Sequence, residues 1–236
     1  MKLRASALSD IGRLRSQNED FLLCEESLGL FGVADGIGGL PGGAQASRCA
    51  IETLREWFGV RRKDANPDYS AAIAAANTAV FRLGREISPR HGIGSTLTLG
   101  HLADDRLVVL HVGDSWAFRL REGELTALTR EHNVENELRA RAARGEETPV
   151  VENGAALTRC VGQPPPLVGD VLHHQVAAGD RYLFCTDGIT RYVDREEISA
   201  QLSLADEPAA VARELINLAN ERGGLDNSTA VVVFLA

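Results

Sequence analysis

Two stacked, mainly antiparallel β-sheets packed between helical layers, an α+β fold, are predicted by three features of the sequence. Strand-length apolar runs cluster together, and helical patterns come in pairs; strict alternation of strand and helix, which a parallel βαβ sheet requires, is missing. The run 107–112 (LVVLHV) is apolar on both faces, so it must be covered from both sides. Four apolar runs end on an aspartate flanked by glycine or turn residues, which places carboxylates at the ends of buried strands: LGLFGVAD at Asp35, LVVLHVGD at Asp114, RYLFCTD at Asp187 and GGLDN around Asp226.

In chain order, strands are expected over 3–9, 21–25 and 28–34, and then a helix over 44–58 with Ala50, Leu54 and Trp57 on one face. A second helix follows Pro67, where Ile73, Ala76, Val80, Leu83 and Ile87 recur at helical spacing and would cover a sheet. The runs 95–102, 107–112 and 117–121, separated by Asp104-Asp105 and Gly113-Asp114, read as antiparallel meanders. From 134 to 145 the chain is polar and helix-compatible, and it continues through a Gly/Pro-containing stretch to 166; the whole of 134–166 reads as a surface flap. Strands over 170–176 and 181–186, helices over 195–202 and 208–222, and a last strand over 228–235 complete the order.

Composition narrows the function. With 236 residues, 44% of them hydrophobic, and no linker, repeat or low-complexity tract, the chain reads as a single domain over 1–236. A net charge of -8 argues against nucleic acid or an anionic membrane as partner, because both demand a basic surface. The apolar runs fall short of the ~20 residues of a membrane span and the N-terminus lacks a signal-peptide pattern, so a cytoplasmic location is expected. Cys24, Cys49, Cys160 and Cys185 are widely spaced, without a CxxC pair, and read as reduced thiols.

Carboxylates gathered from Asp35, Asp114, Asp187 and Asp226 would repel one another unless a cation held them, and an all-oxygen donor set suits Mg²⁺ or Mn²⁺. The ordered blocks SDIGRLRSQNED (9–20), VADGIGGLPGGAQAS (33–47), GSTLTLG (94–100), HVGDSWAF (111–118), LTREH (128–132), LTRCVG (157–162), LFCTDGIT (183–190) and GGLDNSTAVVV (223–233) resemble the PPM (PP2C-type) family of metal-dependent serine/threonine protein phosphatases, in its compact bacterial form. The resemblance spans nearly the whole chain and implies a four-layer αββα sandwich.

It further implies that Asp35 bridges two Mn²⁺ or Mg²⁺ ions, that the Gly36 carbonyl helps bind one, and that Asp187 and Asp226 bind the other. Glu19 would act through coordinated water, Asp114 would ligate a third, weaker metal shared with Asp187, and Arg15 would grip the substrate phosphate, for which its planar fork is suited. The implied reaction is hydrolysis of phosphoserine or phosphothreonine on proteins by a hydroxide bridging the metals, without a covalent intermediate. The implied partners are phosphorylated proteins, substrates of a bacterial Ser/Thr kinase, acted on by a monomer.

Plainer readings stand beside these. Asp-Gly and Gly-Asp are ordinary turn formers, Asp226-Asn227 is a turn or capping pair, and Arg15 and Glu19, four residues apart, are a surface ion pair if that segment is helical. The Gly36–Gly43 stretch fails both nucleotide templates, with Pro41 where GxGxxG needs its last glycine and no Lys-Ser/Thr after it. His111 and His132 read as structural. Cys185 to Arg191 fits the CxxGxxR pattern of cysteine-dependent tyrosine phosphatases, but Asp187 would place a carboxylate inside the phosphate cradle and oppose the low thiol pKa that chemistry needs. Against the PPM pattern, Ile37 stands where many members carry a histidine or Met, Leu40 and Gly43 replace a histidine and an acidic residue, and Trp116 replaces an arginine. A non-catalytic pseudophosphatase that binds phosphoproteins is the alternative to an enzyme; loss of metal carboxylates would favour it, and none is lost.

Overall fold

The computed structural model describes residues 2–38, 41–62, 64 and 66–236. Its elements run β1 (Leu3–Asp10), β2 (Asp20–Glu25), β3 (Leu30–Asp35), α1 (Gly43–Val60), α2 (Tyr69–Ile87), β4 (Leu97–Ala103), β5 (Arg106–Val112), β6 (Trp116–Arg121), β7 (Glu124–Ala127), α3 (Val134–Ala143), β8 (Asp170–Gln175), β9 (Arg181–Cys185), α4 (Asp187–Thr190), α5 (Arg195–Leu204), α6 (Pro208–Glu221) and β10 (Ser228–Leu235). They form two five-stranded sheets, ordered β1-β10-β9-β6-β7 and β2-β3-β4-β5-β8, with every strand pair antiparallel. The expected α+β class and sandwich architecture are what the chain adopts.

Three apolar clusters separate four layers. Leu54, Ile73 and Val80 of α1 and α2 pack on Leu97, Leu99 and Leu110 of one sheet. Phe31, Val109, Phe184 and Val231 fill the space between the sheets. Ile198, Leu202, Val211 and Leu215 of α5 and α6 close on Phe118, Leu183 and Val232 of the other sheet. Each such side chain, taken fully out of water, contributes roughly 1.5–3 kcal/mol, so these layers supply the drive to fold. Local signals agree with the packing: Asp68 caps α2 by accepting the Ala71 N–H at 2.9 Å, Asp194 and Glu197 form a reciprocal capping box on α5, and Pro208 opens α6.

The structure departs from the sequence reading at a few places. The three runs after residue 95 are not one meander: β4 and β5 pair, but β6 crosses to the other sheet and pairs with β9 and β7. Gly113, at φ +108°, makes that crossing, and Asp114 is thereby lodged where the two sheets meet at one end. β3 begins at Leu30, two residues later than expected, because residues 26–28 form a 3₁₀ turn closed by Gly29. The short β7 and α4 had too little periodicity to be seen. The polar stretch after 134 does form a helix, α3, with no buried residue and with Asn133 as its cap. No helix among the described residues is long and apolar enough to cross a membrane.

Candidate metal centre

Strand ends build the site. Asp35 closes β3, and its backbone is clamped on both sides: its N–H donates to Thr96 Oγ1 at 2.9 Å, and its carbonyl accepts from the Thr96 N–H at 2.8 Å and the Ser95 hydroxyl at 2.9 Å. The next N–H, from Gly36, donates to the Glu19 carbonyl at 3.1 Å, tying the loop before β2 to the end of β3. Asp187 follows β9 and opens α4, where Gly188 lies so close to Asn227 that a Cβ would stand 1.9 Å from the Asn227 carbonyl oxygen. The glycine after Asp187 is therefore required by close packing of that loop on 226–227.

Asn227 in turn organises the remainder. Its side-chain oxygen accepts the Glu19 N–H at 2.8 Å, its amide donates to the Ile11 and Gln17 carbonyls at 2.9 and 3.0 Å, and its own N–H donates to Asp226 Oδ1 at 2.9 Å. Asp114 is set by the histidines expected to be structural. The Gly113 N–H donates to His132 Nδ1 at 3.1 Å, so His132 Nε2–H faces Asp170 Oδ2 at 3.2 Å. His111 is fully buried, bonded to Thr98 and the Arg130 carbonyl, and burial and the neighbouring His132 push its pKa down to about 3, so it is neutral.

Arg15, Glu19, Asp35, Gly36, Asp114, Asp187 and Asp226 all line one cleft of about 270 Å³. The electrostatics there are severe. Burial raises the Asp35 pKa well above the usual carboxylate value, and the charges of Asp20, Asp187, Asp114 and Asp226 raise it further. Burial and Asp187 push Asp114 up to about 7. Asp187 is raised by burial, partly offset by Arg191, and its Oδ1 is buried with no hydrogen-bond partner. Glu19 is also raised, by burial first, with Arg15 opposing and Asp226 adding to the rise.

Two guanidiniums answer part of this charge. Arg15 NH2 donates to Asp226 Oδ2 at 2.9 Å, and Arg191 bonds Asp187 Oδ2 while standing 3.5 Å from Asp226. Arg15 and Glu19 are not a helical pair, because residues 11–19 are irregular and Arg15 reaches instead across the cleft mouth. Among the described residues no three His, Cys, Asp or Glu side chains close on one point at ligating range, as mutual repulsion and the two arginines would have it. The donor set is nonetheless of the kind that hard divalent cations take: carboxylates and a backbone carbonyl, one buried oxygen unpartnered, and no soft ligand.

Sequence reasoning missed two members of the site. Asp20, in register with Asp35 across β2 and β3, is 7% exposed; its Oδ2 accepts the hydroxyls of Thr229 and Thr186 at 2.6 and 2.9 Å, stitching the two sheets together, while its Oδ1 has no partner. The signal was its place beside Glu19. Arg191 was read only as part of a cysteine motif; its i, i+4 relation to Asp187 was the available clue. Cys185 itself is fully buried in the apolar cluster under α5 and α6, and burial with the Asp187 and Asp20 charges drives its thiol pKa up, the reverse of a nucleophile. Gly43, where the resembling pattern has an acidic residue, leaves room for Glu19: a Cβ there would stand 2.4 Å from Glu19 Oε1. Leu40 lies outside the described residues. Trp116 stacks on Phe118 with ring centroids 5.3 Å apart, under the Arg195 guanidinium.

A family model described as protein phosphatase 2C matches residues 15–227. The chain belongs to the protein phosphatase 2C family. A putative protein phosphatase 2C-type protein of Streptococcus pyogenes is 30% identical over 98% of this chain and 97% of its own length. The serine/threonine protein phosphatase PstP of Mycobacterium tuberculosis is 34% identical over 98% of this chain, which spans only 44% of PstP. Among solved structures, PppA of Pseudomonas aeruginosa superposes with a TM-score of 0.82 at 31% identity, covering 100% of this chain and 99% of PppA. A PstP catalytic domain in complex with two manganese ions gives 0.83 at 33% identity, covering 99% of this chain and 98% of that domain. The family and enzyme class expected from the motifs are those of these relatives.

Proposed function

We propose that this chain is a single catalytic domain, 1–236, that hydrolyses phosphoserine and phosphothreonine on proteins with two divalent cations, Mn²⁺ or Mg²⁺. The observation that carries the proposal is the convergence of five carboxylates from distant sequence in one cleft beside two arginines, with the pKa values of Glu19, Asp35, Asp114 and Asp187 raised. Asp35, the Gly36 carbonyl, Asp187 and Asp226 would hold the two ions, Glu19 would act through water, and Asp114 with Asp187 would hold a third. Bound there, the cations would supply a water acidic enough to attack phosphorus at neutral pH and positive charge for the phosphate oxygens.

The residues do the rest. The Arg15 Nε donates to the Leu225 carbonyl at 3.3 Å and one terminal nitrogen is spent on Asp226, which fixes the guanidinium plane at the cleft mouth for a phosphate approaching from solvent. Ile37, on the cleft wall, has no ionisable proton, and no histidine lines the cleft among the described residues; water is the proton donor we propose for the leaving alcohol. Ala155 and Leu157 reach the cleft from the exposed stretch that follows α3, which serves as a flap over bound substrate. The protein acts as a cytoplasmic monomer on the products of a bacterial Ser/Thr kinase. A binding-only pseudophosphatase has no observation in its favour, since the cleft keeps each expected carboxylate. Phosphate release from a phosphothreonine peptide by wild type, Asp35→Asn and Asp226→Asn tests the proposal: both variants should lose at least about a hundredfold, and full activity in either would reject the assignment.

A further inference from the structure

A second cavity, of about 360 Å³, adjoins the metal cleft, and Ile37 is a wall of both. It lies between the C-terminal end of α2 and the loop before β8, with Phe81, Ile93 and Pro164 as an apolar lining. Its frame is fixed: the Ile37 N–H donates to the Gly94 carbonyl at 2.9 Å, and Ser95 and Val161 exchange backbone hydrogen bonds at 2.9 and 2.8 Å. Its charge is the opposite of the cleft's. Arg85, Arg90 and His91 line it, no carboxylate does, and neither arginine is in an ion pair among the described residues, in a protein of net charge -8.

Unpaired arginines beside an apolar lining, next to a site for a phosphorylated side chain, form a complementary surface for an acidic, partly apolar polypeptide. An extended chain advances about 3.3 Å per residue, so the neighbours of the phosphorylated residue are the parts of a substrate within reach. Resting on the phosphatase reading above, we propose that this groove receives the segment flanking the phosphorylated residue, seating an apolar side chain against Phe81 and Ile93 and an acidic one against Arg85 and Arg90. The enzyme thereby prefers phosphoproteins whose phosphosite is bordered by acidic and apolar residues.

The test compares three substrates, two phosphothreonine peptides with Glu-Leu or Lys-Lys flanks on either side and p-nitrophenyl phosphate, using wild type and the charge-reversed Arg85→Glu/Arg90→Glu protein. The expected result is a KM at least about fivefold lower for the acidic peptide in wild type, lost or inverted in the double variant, with p-nitrophenyl phosphate hydrolysis unchanged. The wild-type preference should also weaken with added salt. Equal KM values for the two peptides, or a double variant that keeps the preference, overturn the groove assignment while leaving the phosphatase reading intact. If neither a peptide nor p-nitrophenyl phosphate is hydrolysed, that reading fails, and fluorescence anisotropy of the labelled peptides still decides the groove: arginine-dependent preference for the acidic one sustains it, and equal binding rejects it.

Discussion

Replacing Arg191 with alanine should tighten metal binding, although it removes a residue from the cleft. The guanidinium spans Asp187 and Asp226, both assigned to the same cation, so a metal entering that site must displace it and then tolerate its charge nearby. At 3.5 Å from Asp226, Coulomb's law with an effective dielectric of 20 gives about 5 kcal/mol. The Arg191 side chain is 56% exposed, however, and solvent screening brings each pair to about 1 kcal/mol or less. Two pairs thus correspond to about 1–2 kcal/mol, or roughly a 5- to 30-fold lower Kd for Mn²⁺ in Arg191→Ala. Isothermal titration of Mn²⁺ into metal-stripped protein measures this directly, and thermal melts of the same samples should show the stripped variant less stable than stripped wild type, since its carboxylates have lost a counter-charge. Unchanged or weaker Mn²⁺ binding would refute the reasoning and remove Arg191 from any competition with metal.

Other consequences can be measured as readily. Burial, with the Asp187 and Asp226 charges and against two hydroxyl hydrogen bonds, raises Asp20 from 3.8 to about 7; between those values the unfolded chain has lost a proton that the folded chain keeps, so stability falls as pH rises through that window. Buried His111 acts in the opposite sense over the same range, so the Asp20 part is read by difference. Between pH 4 and 8 metal-stripped wild type should lose more stability in urea denaturation than metal-stripped Asp20→Asn, by up to roughly 4 kcal/mol at about 1.4 kcal/mol per pKa unit, and equal pH dependence of the two would contradict the burial of Asp20. Cys185→Ser should retain most phosphate release, because the thiol is buried and its pKa is raised; loss of turnover in a folded variant would revive the cysteine route. Asp180→Ala should destabilise by about 3 kcal/mol, since Asp180 is fully buried and accepts from Arg121, Tyr182 and the Ala177 N–H, yet turnover at low temperature should persist because it lies outside the cleft.

The sandwich was legible because its layers leave separate marks in the chain. The helical stripe through Ile73, Ala76 and Val80 and the doubly apolar Leu107 to Val112 are direct imprints of what each element faces. What stayed hidden depends on contacts remote in sequence. Nothing in the run from Arg106 to Arg121 announces that the chain changes sheets at Gly113, because antiparallel neighbours within one sheet and a crossing between sheets need the same kind of turn. In the site, Asp35, Asp114, Asp187 and Asp226 stood out because each ends an apolar run beside a turn. Asp20 begins its strand and Arg191 follows a four-residue helix, so neither carries a periodic signature; their importance lies in Thr186, Thr229 and Asp226, which only folding brings to them.

The most direct test of the central claim is phosphate release from a phosphothreonine peptide as Mn²⁺ is titrated into metal-stripped protein. Turnover should be absent without metal, rise to saturation with Mn²⁺, and lose that rise in Asp35→Asn. Release in the presence of excess chelator, or release that depends on Cys185 and not on Asp35, would contradict it.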